Sequence, residues 1–498
     1  MLIWLIIIPI VASLLIGFLK TPGRATAVAS ATLTLVLGVA AVVATYMKVD
    51  AACLKDFCGL HTQFALEPPM GTALLLLTVV VTLAAALGMR APSAEAERSW
   101  AISTLLISAG ATGAFTSDNV WAFYAFHELA LIPTFVMIGY YGRGERRVIA
   151  WRATIYLGLA SMVLLAGLLL LCVQMGTVSF LDMLQRSKAG LLPTTPCLVG
   201  GLLLVGFGTL VSLFPFHSWA APAYASAPTP VAMLHAGVLK KFGLYGLFMV
   251  AMIFGPMVGR VFGCWNNLLL VLLLCNVLWV GYVTVSQSRL DEMLGNSSVM
   301  HMGYLFLAFV ALVGCDGNNL LAVQGASLLM LAHGLSIALL FLLAGQVEQQ
   351  TRTLELHALG GLAQKLPRLG FLFGLAGMAS IGLPLLANFA GEFTVFLSCF
   401  QGWAPGAAAC GEGCCGVLGA ISCWLGGLGP VQLAGVFAVW GLVISALYML
   451  RAFRHVFEGD VSPAAERATG LSCADVLAAG LLAACLLVFG VAPFLLFF

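Results

Sequence analysis

Of the 498 residues, 61% are hydrophobic and only 8% charged, and the mean hydropathy is +1.06. Soluble chains carry about 25% charged residues, so the composition excludes a sizeable soluble domain. A formal net charge of +2 leaves no electrostatic footprint for nucleic acid.

In chain order, the opening run MLIWLIIIPIVASLLIGFL has neither a basic n-region nor an A-x-A site. It is expected to be a first membrane span rather than a signal peptide, and no Arg-rich transit peptide is seen. Apolar runs of roughly 20 residues match a bilayer core about 30 Å thick. Reading them between charged or Gly/Pro punctuation predicts an all-α polytopic protein of about 14 transmembrane helices. They lie near 1–19, 25–47, 71–90, 99–115, 118–141, 148–175, 197–219, 226–254, 264–286, 296–315, 319–347, 367–398, 430–453 and 471–497. Such long continuous runs satisfy their own backbone as helices rather than as barrel strands.

Lys and Arg distribute unevenly between the loops. Loops after odd-numbered spans hold 14 of them and loops after even-numbered spans hold 5, namely Lys48, Lys55, Arg186, Lys188 and Arg260. The positive-inside rule then places the odd loops on the cytoplasmic or matrix side and both termini outside.

Two predicted spans are interrupted. Span seven contains SLFPFHSW with Pro215 and His217, and span twelve contains SIGLPLLANFAGEF with Gly382, Pro384 and Asn388. Proline removes a helix hydrogen bond. Discontinuities five spans apart point to an inverted repeat with sites near the midplane. The single domain 1–498 therefore divides into N-terminal helices (1–98), a first repeat (99–254), a second repeat (264–453) and a C-terminal helix (471–498).

Within the apolar spans lie Glu128, His235, Lys241, His301, His333 and Glu392. Charge at bilayer depth costs at least a few kcal/mol, so such groups face a partner or a wet path. Glu128 follows the loop Ser117–Asn119 and sits about 15 Å into its helix at 1.5 Å per residue. A lone membrane histidine is most simply an interhelical hydrogen bond. Three of them beside Glu and Lys suit proton relay, because imidazole accepts at one nitrogen and donates at the other. Lys240 and Lys241 stand about 100° apart on a helix, so both are not expected to face one path. Lys240 is read as snorkelling or reaching the neighbourhood of Arg152. Glu392, just past the span-twelve break, is read as ending the line on the water side.

The 14 cysteines are scattered apart from Cys410, Cys414, Cys415 and Cys423. CGEGCC lacks matched C-x-x-C pairs, so a metal or iron–sulfur site is not expected there. Isolated cysteines in apolar runs are read as small hydrophobes. No nucleotide-binding glycine pattern or haem motif occurs.

The stretches HELALIPTFVMIGYYG (127–142), PFHSWAAPAYASAPTPVAMLHAGVLKKFGLYG (215–246), SSVMHMGYLF (297–306), LAHGLSIALLFLLAGQ (331–346) and GLPLLANFAGEF (382–393) resemble, in order and spacing, the antiporter-like subunits of respiratory complex I. The related Mrp cation/proton antiporters share the pattern. ELALIP and AGVLKK-x-G-x-YG are most similar to the chain 4 branch. The resemblance implies 14 helices, two inverted five-helix repeats with discontinuous helices seven and twelve, and a relay of Glu128, Lys241, His301, His333 and Glu392. It further implies no cofactor in this chain, with NADH, FMN, iron–sulfur clusters and ubiquinone in partner subunits. Neighbouring antiporter-like chains, other membrane-arm subunits and lipids are the implied partners. A mitochondrial inner membrane is expected, with a bacterial plasma membrane as the alternative.

Two positions depart from that pattern. The family's span-seven lysine, partner of the span-five glutamate, is replaced here by Leu210, and no Lys or Arg occurs between Lys188 and Lys240. Lys240, Lys241 or His235 is the expected substitute. Before span ten, an Asp-x-Lys pair is replaced by Arg289-Leu290-Asp291, expected to be an exposed pair worth about 0–1 kcal/mol. The leading expectation is a proton-translocating, non-redox subunit of NADH:ubiquinone reductase. A stand-alone cation/proton antiporter subunit and a structural subunit with impaired pumping are the alternatives.

Overall fold

The structure is a computed structural model, and it describes residues 1–47, 56–57, 60–61, 64–401 and 428–497. The cysteine cluster Cys410–Cys423 lies outside the described residues, as do Lys48 and Lys55. Among the described residues the chain is helical throughout, except for a two-residue antiparallel pair, Asp56–Phe57 with Leu60–His61, and isolated bridges. Nine helices among them are long and apolar enough to cross a membrane, and Trp4–Phe18, Pro196–Val211 and Pro367–Ile381 are shorter apolar helices.

Polar residues at the run boundaries start these helices. Ser93 accepts a hydrogen bond from the Ala96 amide, Asn119 from Ala122 and Asn319 from Ala322, at 3.2, 2.8 and 3.0 Å. Each satisfies an amide that the first turn leaves without a partner. Ser472 and Asp475 form a reciprocal capping box at the last long helix, Cys473–Val491;. An amphipathic helix, Phe180–Lys188, interrupts the loop before predicted span seven and was not anticipated.

The loops meet alternately at the two ends of the helices. At one end Arg90 pairs with Asp475 at 2.9 Å and Arg143 with Glu348 at 2.5 Å, and Arg352 and Arg467 line a cavity with Arg90. The arginines belong to the loops after spans three, five, eleven and thirteen, and Asp475 to the start of the last long helix. At the other end Phe64 bridges to Ser117 and Asn119 to Ser179. The segregation of charge thus coincides with a segregation of loops.

A disulfide, Cys197–Cys264, corrects the reading of these two cysteines as small hydrophobes. It joins the beginnings of spans seven and nine, ends that the charge asymmetry puts outside, where an oxidising compartment sustains disulfides. After reduction, a membrane-impermeant maleimide applied from outside is expected to label Cys197 and Cys264 in right-side-out vesicles. Labelling only in inside-out vesicles would reverse the orientation.

The helices Leu290–Gly314 and Leu320–Thr351 are buried along nearly their whole length, and with Lys241–Phe254 they form the centre of the protein. Gly237 and Gly334 touch across this centre: a Cβ on Gly334 would come within 2.7 Å of the Gly237 carbonyl oxygen. Only glycine permits that approach, and it sets Lys241, one turn after Gly237, beside His333.

Both predicted breaks are present. Pro196–Val211 ends at Ser212 (φ 69°), and the chain resumes as a helix at Ala220–Ser226. Pro367–Ile381 ends at Gly382 (φ 83°), and the chain resumes at Ala387–Ser398. The first break begins ahead of Pro215, at the left-handed Ser212. Asn276, inside a π-helical turn Cys275–Val280, holds it. Its Oδ1 accepts from the Phe214 amide at 2.7 Å, and its Nδ2 donates to the carbonyls of Ser212 and Val299 at 3.0 and 3.1 Å.

Candidate functional site

Four of the expected residues form a continuous buried row. Lys241 is fully buried; its Nζ lies 3.0 Å from His333 Nδ1 and donates to the Ala236 carbonyl at 2.8 Å. That carbonyl belongs to a π-helical turn, His235–Leu239, and such turns displace a helix from its regular register. The rings of His333 and His301 are 5.4 Å apart. His301 Nε2 is 3.8 Å from Glu392 Oε1.

His301 is placed between two acceptors. Nδ1 lies 2.9 Å from the Ser297 carbonyl and Nε2 lies 2.9 Å from the Ser380 carbonyl. A carbonyl only accepts, so a neutral ring with one N–H satisfies one of them at a time, whereas imidazolium satisfies both. Ser380 is next to the span-twelve break, so the broken helix itself supplies a proton-holding contact.

Glu392 corrects an expectation: it is 2% exposed, and its Oε1 has no hydrogen-bond partner. It therefore does not end the row on the water side. The resumed helix begins at Ala387 and carries Glu392 back against Gly382, where a Cβ would collide with Oε2. Gly382 serves the site twice, by its left-handed turn and by the room it leaves for the carboxylate.

Lys240 also corrects an expectation. It neither snorkels nor reaches Arg152 but is 1% exposed, with Nζ 3.4 Å from Ser298 Oγ and 5.2 Å from the centre of the Tyr224 ring. The 100° argument assumed one buried face. This helix is packed on all sides, so Lys240 and Lys241 both point into protein on different bearings. His235 is buried with them, stacked on Trp219 at 5.6 Å and edge-on to Tyr224 at 5.0 Å. A second cluster thus adjoins the span-seven break, where His217 stacks on Phe214 at 5.3 Å.

Glu128 stands apart from both groups. Its side chain is 33% exposed, its Oε1 accepts from the Ser161 hydroxyl, and His127 Nδ1 is 3.6 Å away. Tyr124 joins Ser161 at 3.0 Å. None of Lys240, Lys241 and His235 is among its hydrogen-bond or ion-pair partners, so the expected substitution for the missing lysine at Leu210 does not form a direct pair.

Arg289 and Asp291 are more than an exposed pair. Asp291 is 2% exposed. Arg289 binds it through Nε and Nη2 at 3.2 and 2.9 Å and reaches Glu355 at 3.2 Å. Bidentate geometry on a buried carboxylate is the stronger form of ion pair. Asn276, Ser298, Tyr224, Ser161 and His127 were missed in the sequence; Asn276 was visible as a lone amide in LLLVLLLCNVLWV. Among the described residues no group of three or more His, Cys, Asp or Glu could hold a metal ion.

The family profile described as NADH:quinone oxidoreductase/Mrp antiporter, TM, matches residues 117–412. The chain belongs to that family. This span covers all the residues just described. Among the family's curated members, a chain 4 of NAD(P)H-quinone oxidoreductase from Microcystis aeruginosa is 32% identical over 360 residues, 72% of this chain and 59% of its own length. An NADH-quinone oxidoreductase subunit M from Rickettsia prowazekii is 26% identical over 84% of this chain and 77% of its own. The chain thus spans about three fifths of the length of the first of these relatives. The fold is shared with a chain of respiratory complex I from Thermus thermophilus, with TM-score 0.81, 24% identity, and 99% and 96% of the two chains covered. It is also shared with a chain of the Mrp complex from Dietzia, with TM-score 0.77, 19% identity, and 99% and 95% covered.

Proposed function

We propose that this chain is a proton-translocating membrane-arm subunit of an NADH- or NAD(P)H-quinone oxidoreductase, its redox cofactors residing in partner subunits. The observation that carries the reading is the row Lys241–His333–His301–Glu392, which gives alternating donors and acceptors within a sealed centre. A proton on Lys241 passes to His333 Nδ1, leaving a neutral amine. His301 receives it at its unprotonated nitrogen and, as imidazolium, then holds both carbonyl bonds. On release it returns to one, and Glu392 takes the proton as a neutral acid beside the span-twelve break. Fourteen crossings in two inverted repeats account for the matched breaks at Ser212 and Gly382. The relatives named above are bacterial, so the membrane is read as a bacterial plasma membrane in place of the mitochondrial inner membrane expected from sequence.

A second reading, a subunit with weakened pumping, is favoured by Glu128, which has no lysine within contact. Glu128→Gln in the assembled, vesicle-reconstituted enzyme separates the two. Participation predicts that this subunit's share of the protons moved per electron falls by about a hundredfold or more. An unchanged ratio supports the second reading.

A further inference from the structure

We propose that His127 is the proton partner of Glu128, occupying the role that no lysine fills in this chain; this rests on the proton-translocation reading above. His127 is 1% exposed, and neither of its ring nitrogens has a hydrogen-bond partner. A buried imidazole without a partner is costly, and its orientation explains why one is kept here. Nδ1 faces the Glu128 carboxylate at 3.6 Å, within ion-pair range but longer than a hydrogen bond;. Aromatic rings enclose it: Phe123 is stacked at 6.5 Å, Tyr124 lies at 6.2 Å, and Phe242 meets it edge-on at 5.3 Å.

Phe242 follows Lys241 directly in the chain. His127 therefore stands between the partly exposed Glu128 and the helix that begins the buried row. The Glu128 carboxylic acid gives its proton to Nδ1, leaving a carboxylate beside an imidazolium. The ring then releases the Nε2 proton to a water on the way to the buried row. The resulting Nδ1–H tautomer returns to the Nε2–H form by water-mediated exchange before Glu128 delivers the next proton. The carboxylate, still held by the Ser161 hydroxyl, takes its next proton from the exposed side. One proton enters and one leaves, and no charge accumulates.

The test uses the assembled enzyme in vesicles, with protons per electron measured for His127→Phe, His127→Lys and Glu128→Gln, each normalised to the amount of assembled complex. His127→Phe is expected to fall to the level of Glu128→Gln, and His127→Lys to recover at least half of the loss, because an amine beside the carboxylate restores the exchange. Wild-type coupling in His127→Phe overturns the proposal. So does a His127→Lys variant as poor as His127→Phe, which would assign the histidine to packing. If His127→Phe does not assemble, His127→Gln carries the same comparison. Wild-type coupling in Glu128→Gln removes the underlying reading instead, so the two failures are distinguishable.

Discussion

Lys241→Met is expected to abolish this subunit's share of proton translocation without loosening the protein. Methionine nearly conserves the volume and removes the amine that lies 3.0 Å from His333. Burying an ammonium group is costly, and relief of that cost offsets the lost bonds to Ala236 and His333. An unchanged melting temperature and yield of assembled complex are therefore the control that separates a functional from a folding defect. Removing a positioned proton carrier costs about two to four orders of magnitude in the transfer step. Lys241→Arg separates charge from exchange: guanidinium stays protonated, so Arg is expected to fail as completely as Met. Dye-monitored acidification of reconstituted vesicles at matched electron flux is the measurement. Normal acidification in the Arg variant would mean that Lys241 supplies charge alone.

Asn276→Leu is expected to have the largest effect on stability. The amide satisfies the Phe214 N–H and the carbonyls of Ser212 and Val299 in a fully buried setting. Leucine keeps the bulk but leaves the Phe214 amide and the Ser212 carbonyl without a partner, each costing about 1–3 kcal/mol, while the Val299 carbonyl keeps its bond within its own helix. A loss of several kcal/mol is a large part of ordinary stability. A marked drop in melting temperature in detergent and a low yield of assembled complex are therefore expected. An unchanged melting temperature would mean that water replaces the amide and that the break does not depend on it.

Much of this site was readable because ionisable residues in apolar spans are costly enough to stand out. Lys241, His301, His333 and Glu392 were found that way, and the structure brings them into one row. The breaks were readable from Pro and Gly within apolar runs, although Ser212 rather than Pro215 ends the first half-helix. Direction was harder to read. The bearing of Lys240 depends on how many neighbours enclose its helix, and the depth of Glu392 depends on where the chain re-enters after Gly382. His127, like His357 and His455, was assigned no role because its position in the sequence looked weak, and an unpartnered nitrogen is a property of tertiary surroundings. The Cys197–Cys264 pairing spans 67 residues, and cysteine positions alone do not give connectivity.

That disulfide fixes a mechanical boundary condition. It clamps the outer end of Pro196–Val211 to the corner before Asn266, with the two Cα atoms 6.5 Å apart. The outer half of the broken span is thereby tethered like a hinge plate screwed to its frame. Any swing at the interruption falls to the inner segment, Ala220–Ser226, which carries Tyr224 against Lys240 and His235. Gating strokes, if measured by spin labels on the two halves, belong on the inner side of Trp219.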